Sequence, residues 1–440
     1  MRSFQAAIEP EQFTIKRRRT IMSNLNPLQW KLIEYLKCND YYIVIQADKN
    51  LGPCILDRII YVHRGCSEHL GNERNYKILS KQQAMNLQLS LRYKLEGFLR
   101  KFNWIPEHYK ETGQAPDDFD PDMIGISNAE ADYLNRAMKK YPDKLARFRM
   151  TMKVHKHPWK MRPIVCCAGT FMNAWSKWLD YWLQKLKPFV PTYTRDSQQL
   201  LDELKALQLP PDAILFTADA NSMYNNIDTE HAIEVVDAWL DELQAQGLLP
   251  PDFPLEAVKY AMRVIMRNNT FEYGALYFLQ LLGTAMGTSA AVMWATIYYG
   301  YHESHCLIPK YGQHLFYFRR FIDDIFAIWI GDRTQAWSNF KNDVNDFGIL
   351  TWDIDELSNS VNFLDLTLSI NNGKIITTTY QKAMNLYLYL PPSSAHPRSC
   401  IKGTIFGPIN HYYTQNTYRK DYIEFVVLLY QRILEQGWSR

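Results

Sequence analysis

The sequence predicts an α+β fold, in which strands and helices are mixed. The chain has 440 residues, of which 47% are hydrophobic and 22% charged, the balance of a globular protein large enough for two or three lobes. Strand-like runs and amphipathic helices follow one another without a regular alternation of strand and crossover helix. This order argues against a doubly wound parallel sheet and favours an α+β architecture.

The N-terminal part predicts a leader, a short helix and a pair of strands. Residues 1–40 have the character of a leader that ends in a helix over Leu28–Leu36. No apolar stretch follows Met1, so we expect no secretory signal. The run YYIVIQADKNLGPCILD (41–57) predicts a strand, a turn at Asn50–Gly52 and a second strand.

The sequence of the middle of the chain predicts a loop-like segment, a helix, a strand and a second helix. Prolines and aspartates over 105–128 indicate a loop-like break. AWSKWLDYWLQKLK (174–187) has the spacing of an amphipathic helix, because its Trp and Leu residues recur on one face. AILFTAD (213–219) predicts a strand. The next helix, over 229–247, has Asp228 as its N-cap.

The C-terminal part predicts two hairpins and a final helix. LFYFRRFIDDIFAIWI (315–330) has aromatic and β-branched residues on both sides of an acidic bend, which is the pattern of a β-hairpin. SVNFLDLTLSINNGKIITTTYQ (360–381) predicts a second hairpin that turns at Asn371–Gly373. IEFVVLLYQRILEQG (423–437) predicts a closing helix. The most apolar segment, 287–301, is too short and too polar at its ends to span a membrane.

Two adjacent aspartates, Asp323 and Asp324, lie at the bend of the first hairpin. Neighbouring carboxylates in an apolar run repel each other and lose hydration, so they persist where a cation neutralises them or where the bend is exposed. A third acid, Asp219, ends a predicted strand. A strand-end aspartate together with a hairpin-tip pair is the arrangement that two-Mg²⁺ phosphoryl transfer needs. Taken alone, each element is far more often a turn cap or a solvated loop tip than a metal site, because aspartate is common at strand ends.

A basic stretch precedes these acids in the chain. FRMTMKVHKHPWKMRPIV (148–165) contains no acid, and its cations include Lys153, Lys156, Lys160 and Arg162. Such side chains suit a triphosphate, to which an arginine offers bidentate contacts. The alternative is an exposed basic face.

A glycine-rich stretch lies between Asp219 and the hairpin. QLLGTAMGTSAAVMWATIYY (280–299) has small residues around Gly283 and Gly287, just before a predicted helix. Small residues allow a backbone to approach a flat partner closely. Close packing of helices is the alternative interpretation.

The order of these elements resembles that of a reverse transcriptase. Over about residues 40–440 the chain has a basic K-x-H-K…R-P-I stretch, then D-x4-Y, Q-x2-G-x-A-M-G, F-I-D-D and N-F-L-D. Five motifs in this order are specific, whereas F-I-D-D alone is not. The pattern is most similar to the Penelope-like retroelement branch, a relative of telomerase reverse transcriptase. Many Penelope-like proteins carry a GIY-YIG nuclease, and its signature is lacking here.

The resemblance implies a right-hand polymerase with fingers, palm and thumb, and with an antiparallel palm sheet. It divides the chain into a leader at 1–40, fingers at 41–200, a palm at 201–375 with a second part of the fingers inserted at about 231–300, and a primer-grip region with a short helical thumb at 376–440.

The resemblance also implies the site residues. Three catalytic carboxylates, with one backbone carbonyl, would bind two Mg²⁺ ions or, as an alternative, Mn²⁺: Asp219, Asp323, Asp324 and the carbonyl of Ala220. The incoming dNTP would contact Lys153, Arg162 and Tyr224. The template and primer would contact Lys156, Lys160, Met286, Gly287, Phe363 and Leu364.

One position implies the kind of product. Tyr224 occupies the family's steric-gate position, where an aromatic ring would clash with a ribose 2′-OH, whereas viral RNA-dependent RNA polymerases usually have an aspartate there. The implied function is therefore RNA-directed DNA polymerase, acting on an RNA template, a DNA primer and dNTPs. Two alternatives stay open: an RNA-dependent RNA polymerase, and an inactive nucleic-acid-binding relic, which departures from the family pattern at Ala291-Val292 and Ala383-Met384 favour.

Composition adds little about location or oligomeric state. Seven cysteines without C-x-x-C spacing argue against a zinc site or a disulfide framework and fit a reducing compartment. A net charge of +3 neither requires nor excludes a nucleic-acid partner. The family implies a nuclear location, to which the basic patch Lys16–Arg19 adds slight support; a cytoplasmic location is the alternative. We expect no membrane partner.

Overall fold

The computed structural model of the chain describes residues 25–438, except for 49–50, 142–143, 155–156, 383–386 and 395. Several predicted features lie outside the described residues: most of the leader with its Lys16–Arg19 patch, Asn50 of the first predicted turn, Lys156 and the Ala383-Met384 pair. Among the helices that are described, none combines the length and the apolar character needed to cross a membrane.

Helices and strands are mixed in irregular order, as the sequence predicts. The α-helices are α1 (Pro27–Cys38), α2 (Arg58–Gly65), α3 (Lys81–Leu99), α4 (Ile105–Thr112), α5 (Asn128–Lys140), α6 (Phe171–Leu183), α7 (Ser197–Lys205), α8 (Thr229–Ala245), α9 (Leu255–Arg267), α10 (Ala291–His302), α11 (Ile308–Tyr311), α12 (Gln335–Val344), α13 (Arg398–Gln415) and α14 (Arg419–Glu435). The strands are β1 (Tyr42–Gln46), β2 (Pro53–Asp57), β3 (Tyr76–Leu79), β4 (Ala146–Lys153), β5 (Lys160–Cys166), β6 (Ile214–Ala220), β7 (Thr270–Tyr273), β8 (Leu276–Gln280), β9 (Leu315–Phe321), β10 (Asp324–Trp329), β11 (Trp352–Ile354), β12 (Ser360–Phe363), β13 (Leu366–Asn371) and β14 (Lys374–Thr379).

A four-stranded antiparallel sheet, in the order β11-β6-β10-β9, forms the centre of the fold. Because successive side chains of a strand point to opposite faces, each of the two inner strands, β6 and β10, contributes to two cores. On one face, Phe216 and Ala327 join the helical core that includes α6, α8, α10 and α12. On the other face, Leu215 and Phe326 pack against α7 and the three-stranded sheet β12-β13-β14. Burial on both faces explains why these strands are almost continuously apolar in sequence.

A second, five-stranded sheet in the order β3-β8-β7-β4-β5 carries the basic stretch. In its β4–β5 hairpin, alternate residues such as Phe148, Met150 and Met161 face a separate apolar core. The residues between them point to the opposite face, where the cations lie. The β1–β2 hairpin contacts this sheet through a bridge between Ala47 and Met152.

Most predicted elements are confirmed, with ends that differ by a few residues. The helix over 174–187 is α6, continued by a 3₁₀ turn over Gln184–Phe189. The helix over 229–247 is α8, and its N-cap Asp228 accepts hydrogen bonds from the backbone of Glu230 and His231. The predicted first and last helices correspond to α1 and α14, and the acidic hairpin to β9–β10.

The prediction of a loop over 105–128 is wrong for its first part, which is α4. The prediction treated the prolines as helix breakers, but Pro106 lies in the first turn of that helix, where a proline is tolerated. A π-helical turn, Arg100–Trp104, joins α3 to α4. Pro106 has no N–H for the carbonyl of Phe102, and the backbone N–H of Ile126 donates to that carbonyl at 2.8 Å instead.

The segment 360–381 contains one more chain reversal than predicted. The predicted turn joins β13 to β14, and Asn372 and Gly373 have the positive φ values, 50° and 71°, of a two-residue hairpin turn. A further turn at Leu364-Asp365 separates β12 from β13. Leu364 has a φ of 54°, and no glycine or asparagine marks this turn in the sequence.

Candidate active site

Strand register brings together three acids that are far apart in the chain. In the β6–β10 pair, Asp324 lies directly opposite Asp219. Side chains that face each other across an antiparallel pair point to the same face, with Cβ atoms about 5 Å apart. Asp323 is the next residue along, and its carbonyl accepts a hydrogen bond from the backbone of Ala220 at 2.8 Å. Asp219, Asp323 and Asp324 therefore meet at one end of the central sheet.

The charges of these acids act on one another. Burial raises the pKa of Asp324 to about 6, and the negative charges of Asp323 and Asp219 add to the rise, while the positive charge of Lys382 opposes it. Burial and the charge of Asp323 also raise the pKa of Tyr224 to about 12. Like charges opposite each other in a sheet are destabilising, and a bound divalent cation relieves that repulsion.

The three acids have the chemistry of a magnesium site, although they do not form a closed cage. Among the described residues, no group of three or more His, Cys, Asp or Glu side chains is arranged to hold a metal ion. Mg²⁺ seldom needs such a cage, because it keeps several waters and binds one or two carboxylates together with substrate phosphates. An oxygen-only donor set under mutual repulsion fits an ion that binds together with a nucleotide.

We expect Asp324→Asn to stabilise the metal-free protein, by an amount that grows as the pH rises. The pKa of Asp324 in the folded chain, about 6, exceeds its ordinary 3.8, so between these values the folded state binds more protons than the unfolded state. Stability is therefore lost as the pH rises through this window, and Asn removes that loss. Urea denaturation in EDTA should show the variant about 1–2 kcal/mol more stable at pH 7, and equal to the wild type near pH 4. A difference that does not change with pH would contradict the shift.

A fourth acid joins this row and was missed by the sequence analysis. In the β6–β11 pair, Asp353 lies directly opposite Asp219, on the side away from Asp324. Its carboxylate accepts a hydrogen bond from the side chain of Asn221 at 3.0 Å. In the sequence, the alternation of apolar and acidic residues in WDID (352–355) indicates a strand with acids on one face. Alternation cannot identify the strand with which this one pairs.

The two cations predicted to bind the dNTP, Lys153 and Arg162, lie on the same face of the β4–β5 hairpin as Lys160, which was predicted to contact the template or primer. Lys160 is directly opposite Lys153, and Arg162 is directly opposite Thr151. A Nη2–Oδ2 distance of 3.1 Å pairs Arg162 with Asp48, whose role the sequence left open. The Nε of Arg162 and the Oγ1 of Thr151 are buried and have no hydrogen-bond partner within the described part of the chain. Because the Arg162 side chain is 39% exposed, it is accessible to an anion in solution.

The glycine-rich stretch connects β5, the strand that carries Arg162, to the loop that follows Asp219. The backbone of Thr284 donates to the carbonyl of Tyr224 at 2.7 Å, and the backbone of Val165 on β5 donates to the carbonyl of Met286 at 2.8 Å. A Cβ at Gly283 would collide with the Tyr224 carbonyl, and a Cβ at Gly287 with the Val165 carbonyl. A close backbone approach is therefore present at both glycines, and in the described structure the partner is the chain's own backbone.

The predicted primer-grip residues differ in accessibility. Phe363 is only 2% exposed and its ring lies 5.7 Å from that of Phe326, so its side chain supports the sheet rather than facing a groove. Leu364 lines a cavity of about 570 Å³, whose wall also includes Lys382 and His411. If Phe363 contacts a primer, its backbone must make the contact.

Comparison with solved structures identifies the fold. Telomerase from Candida albicans, solved with a fragment of telomeric RNA, superposes with a TM-score of 0.52 at 10% sequence identity, over 93% of this chain and 65% of that chain. The chain has a polymerase-type fold. Matches with lower scores include apo telomerase from Candida tropicalis (TM-score 0.46, 10% identity, 90% and 65% coverage) and the RNA polymerase complex of a double-stranded RNA virus (0.48, 10%, 81% and 35%).

These similarities concern the backbone fold alone, because the sequences have diverged so far. The chain spans less than two thirds of the length of each of these proteins. No protein-family model matches the chain, and no curated protein matches it in sequence. The roles of the site residues therefore rest on the geometry and chemistry of this chain.

Proposed function

We propose that the chain is an RNA-directed DNA polymerase of the Penelope-like type, which extends a DNA primer with dNTPs on an RNA template. The observation that carries the proposal is the meeting of Asp219, Asp323 and Asp324 at one end of the central sheet of a polymerase-type fold. The ordered sequence motifs support it. So do the backbone bonds that link the cationic β4–β5 hairpin, through the glycine-rich stretch, to the loop that follows Asp219.

In this proposal the central sheet is the palm, within 201–375. The β4–β5 hairpin belongs to the fingers at 41–200, and the inserted part at about 231–300 comprises α8, α9, β7, β8 and the glycine-rich stretch. The three-stranded sheet β12-β13-β14 continues into the primer-grip region, and α13 and α14 form the thumb within 376–440. An RNA–DNA duplex would then lie over the acidic end of the sheet, between the fingers and the thumb.

Each side chain has a role that follows from its environment. Asp219, Asp323, Asp324 and the Ala220 carbonyl would hold Mg²⁺, or Mn²⁺ in its place. When bound, these ions supply charge stabilisation for the attacking primer hydroxyl and for the leaving pyrophosphate. Arg162 would bind the triphosphate through its partly exposed side chain, while its ion pair with Asp48 fixes the position of the guanidinium.

Primer extension tests the proposal. Purified protein is given a DNA primer annealed to an RNA template, dNTPs and Mg²⁺, and the products are resolved by length. We expect template-directed extension that stops when EDTA is added, because without a divalent cation the negatively charged carboxylates and triphosphate repel each other.

The same assay distinguishes the competing hypothesis of an inactive relic. A relic would bind the RNA–DNA duplex in a salt-sensitive manner, since Lys and Arg contacts to phosphates release counterions, but would add no nucleotide. Binding without extension, across templates of different sequence and with either divalent ion, would refute the polymerase proposal.

A further inference from the structure

The turn between β9 and β10 holds an isoleucine in a conformation that this residue type rarely adopts. Phe321 and Asp324 are directly paired, so Ile322 and Asp323 alone form the loop. Ile322 has a φ of 56°, in the left-handed region, where a β-branched residue is strained. A two-residue hairpin turn with positive φ at its first position alone favours glycine there. The chain thus keeps a strained residue directly before the two aspartates.

The side chain of Arg320 is fully buried, at 0% exposed, and forms a hydrogen bond with the backbone of this turn. Nη1 donates a hydrogen bond to the carbonyl of Ile322 at 2.9 Å, and Nη2 donates to the carbonyl of Thr296 in α10 at 2.8 Å. The same guanidinium pairs with Glu303, with Nε–Oε1 at 2.6 Å and Nη2–Oε2 at 2.9 Å.

Glu303 is in turn fixed by its own partners. Its side chain is also 0% exposed, and its Oε2 accepts a hydrogen bond from the hydroxyl of Thr192 at 2.5 Å. The backbone N–H of Arg320 donates to the carbonyl of Thr192 at 2.7 Å. Glu303 also begins a π-helical turn, Glu303–Leu307, which directly follows α10. The ion pair of Arg320 and Glu303 therefore joins three parts of the chain: α10, the segment around Thr192 and β9. From there Arg320 reaches one carbonyl of the acidic turn, that of Ile322.

General stabilisation does not account for this arrangement. Desolvation of two buried charges offsets most of their attraction, and apolar residues of similar volume are often as stabilising. An apolar pair cannot donate a directed hydrogen bond to the Ile322 carbonyl, whereas the planar fork of an arginine can donate to a carbonyl and a carboxylate at the same time. The features that require an arginine here are its bonds to two backbone carbonyls, and of these only the one at Ile322 lies in the acidic turn.

We propose that Arg320 is a positioning residue, which holds Ile322 in the left-handed conformation and so sets the direction of Asp323 and Asp324. Glu303 and Thr192 hold the guanidinium in place for this task. The catalytic consequence rests on the proposed polymerase function. The effect on the turn itself does not depend on that function.

A double-substitution experiment separates this role from simple core packing. Arg320→Lys keeps a positive charge beside Glu303 but lacks the fork that bonds Ile322. Ile322→Gly adopts a positive φ without strain, so it should hold the turn without the arginine. We expect Arg320→Lys to lower the kcat of primer extension about tenfold or more with dNTP KM changed less than about twofold, because displaced groups slow the chemical step. Adding Ile322→Gly should restore most of the lost kcat, which a loss of core packing would not allow.

A second measurement is independent of catalysis. The backbone N–H of Ala220 donates to the carbonyl of Asp323, so its hydrogen exchange reports on the turn. Exchange at Ala220 should be faster in Arg320→Lys and slow again in the double variant. If Arg320→Lys does not fold, the charge-neutral pair Arg320→Met with Glu303→Met replaces it, with and without Ile322→Gly.

The outcomes separate the two proposals. Unchanged kcat and unchanged Ala220 exchange in a folded Arg320 variant would overturn the positioning role, as would failure of Ile322→Gly to restore either measurement. If the wild-type protein extends no primer, the polymerase function is refuted. If Ala220 exchange is nevertheless faster in Arg320→Lys and slow again in the double variant, the positioning role is supported.

Discussion

Asp323→Asn should lower primer extension by about a thousandfold or more while leaving the fold intact. The proposed ions would lose one of their carboxylates. Several kcal/mol of transition-state stabilisation from bound metal correspond to about three orders of magnitude in rate. The same substitution removes one of the repelling charges at this end of the sheet, and the pKa of Asp324 should fall because the charge of Asp323 contributes to its rise. The variant is therefore expected to be inactive and at least as stable as the wild type.

The measurement compares single-nucleotide incorporation rates at saturating Mg²⁺ with urea denaturation of the same preparations. Asp202→Asn is a matched control, because Asp202 is an exposed acid on α7 whose ion pair with Lys205 lies on the surface. The control should keep full activity, and both variants should bind an RNA–DNA duplex. If the Asp323→Asn variant keeps more than about a tenth of wild-type activity, Asp323 is not one of the catalytic carboxylates.

The strands that carry these acids were predictable from local sequence. Apolar runs bounded by turns identify β6, β9 and β10, because their burial on both faces leaves few polar residues. The bend at Asp323 is likewise local, since polar residues interrupt an apolar run there. Such features depend on residues a few positions apart, which a single sequence displays.

The pairing between distant segments was not predictable. The register that places Asp324 opposite Asp219 depends on strands from different parts of the chain, and nothing local indicates that Asp353 lies on the other side of Asp219. The ion pairs of Asp48 with Arg162 and of Glu303 with Arg320 are also long-range contacts. A sequence shows the charged residues and leaves their partners undetermined.

Tyr224→Ala should relax the exclusion of ribonucleotides by about a hundredfold. In the proposed site the tyrosine ring fills the space that a 2′-OH would occupy, and an ill-fitting group is rejected by a factor of roughly ten to a few hundred. The backbone of Tyr224 is held in place, because Thr284 donates a hydrogen bond to its carbonyl and Gly283 lies against the same carbonyl, while the ring packs against the helical core. Since its pKa is raised to about 12, the phenol stays neutral at physiological pH and acts through its shape.

The ratio of kcat/KM for a dNTP to that for the matching NTP measures this effect, and Tyr224→Phe is the matched control. The phenylalanine ring retains the bulk without the hydroxyl, so the ratio should stay close to that of the wild type, whereas alanine removes the bulk. Because the tyrosine ring is packed at the edge of the helical core, alanine should also lower stability, and the comparison must use folded protein. A wild-type enzyme that prefers NTPs, with a ratio unaffected by alanine, would instead identify an RNA-dependent RNA polymerase. Loss of discrimination in both variants would mean that the hydroxyl, rather than the ring, recognises the sugar.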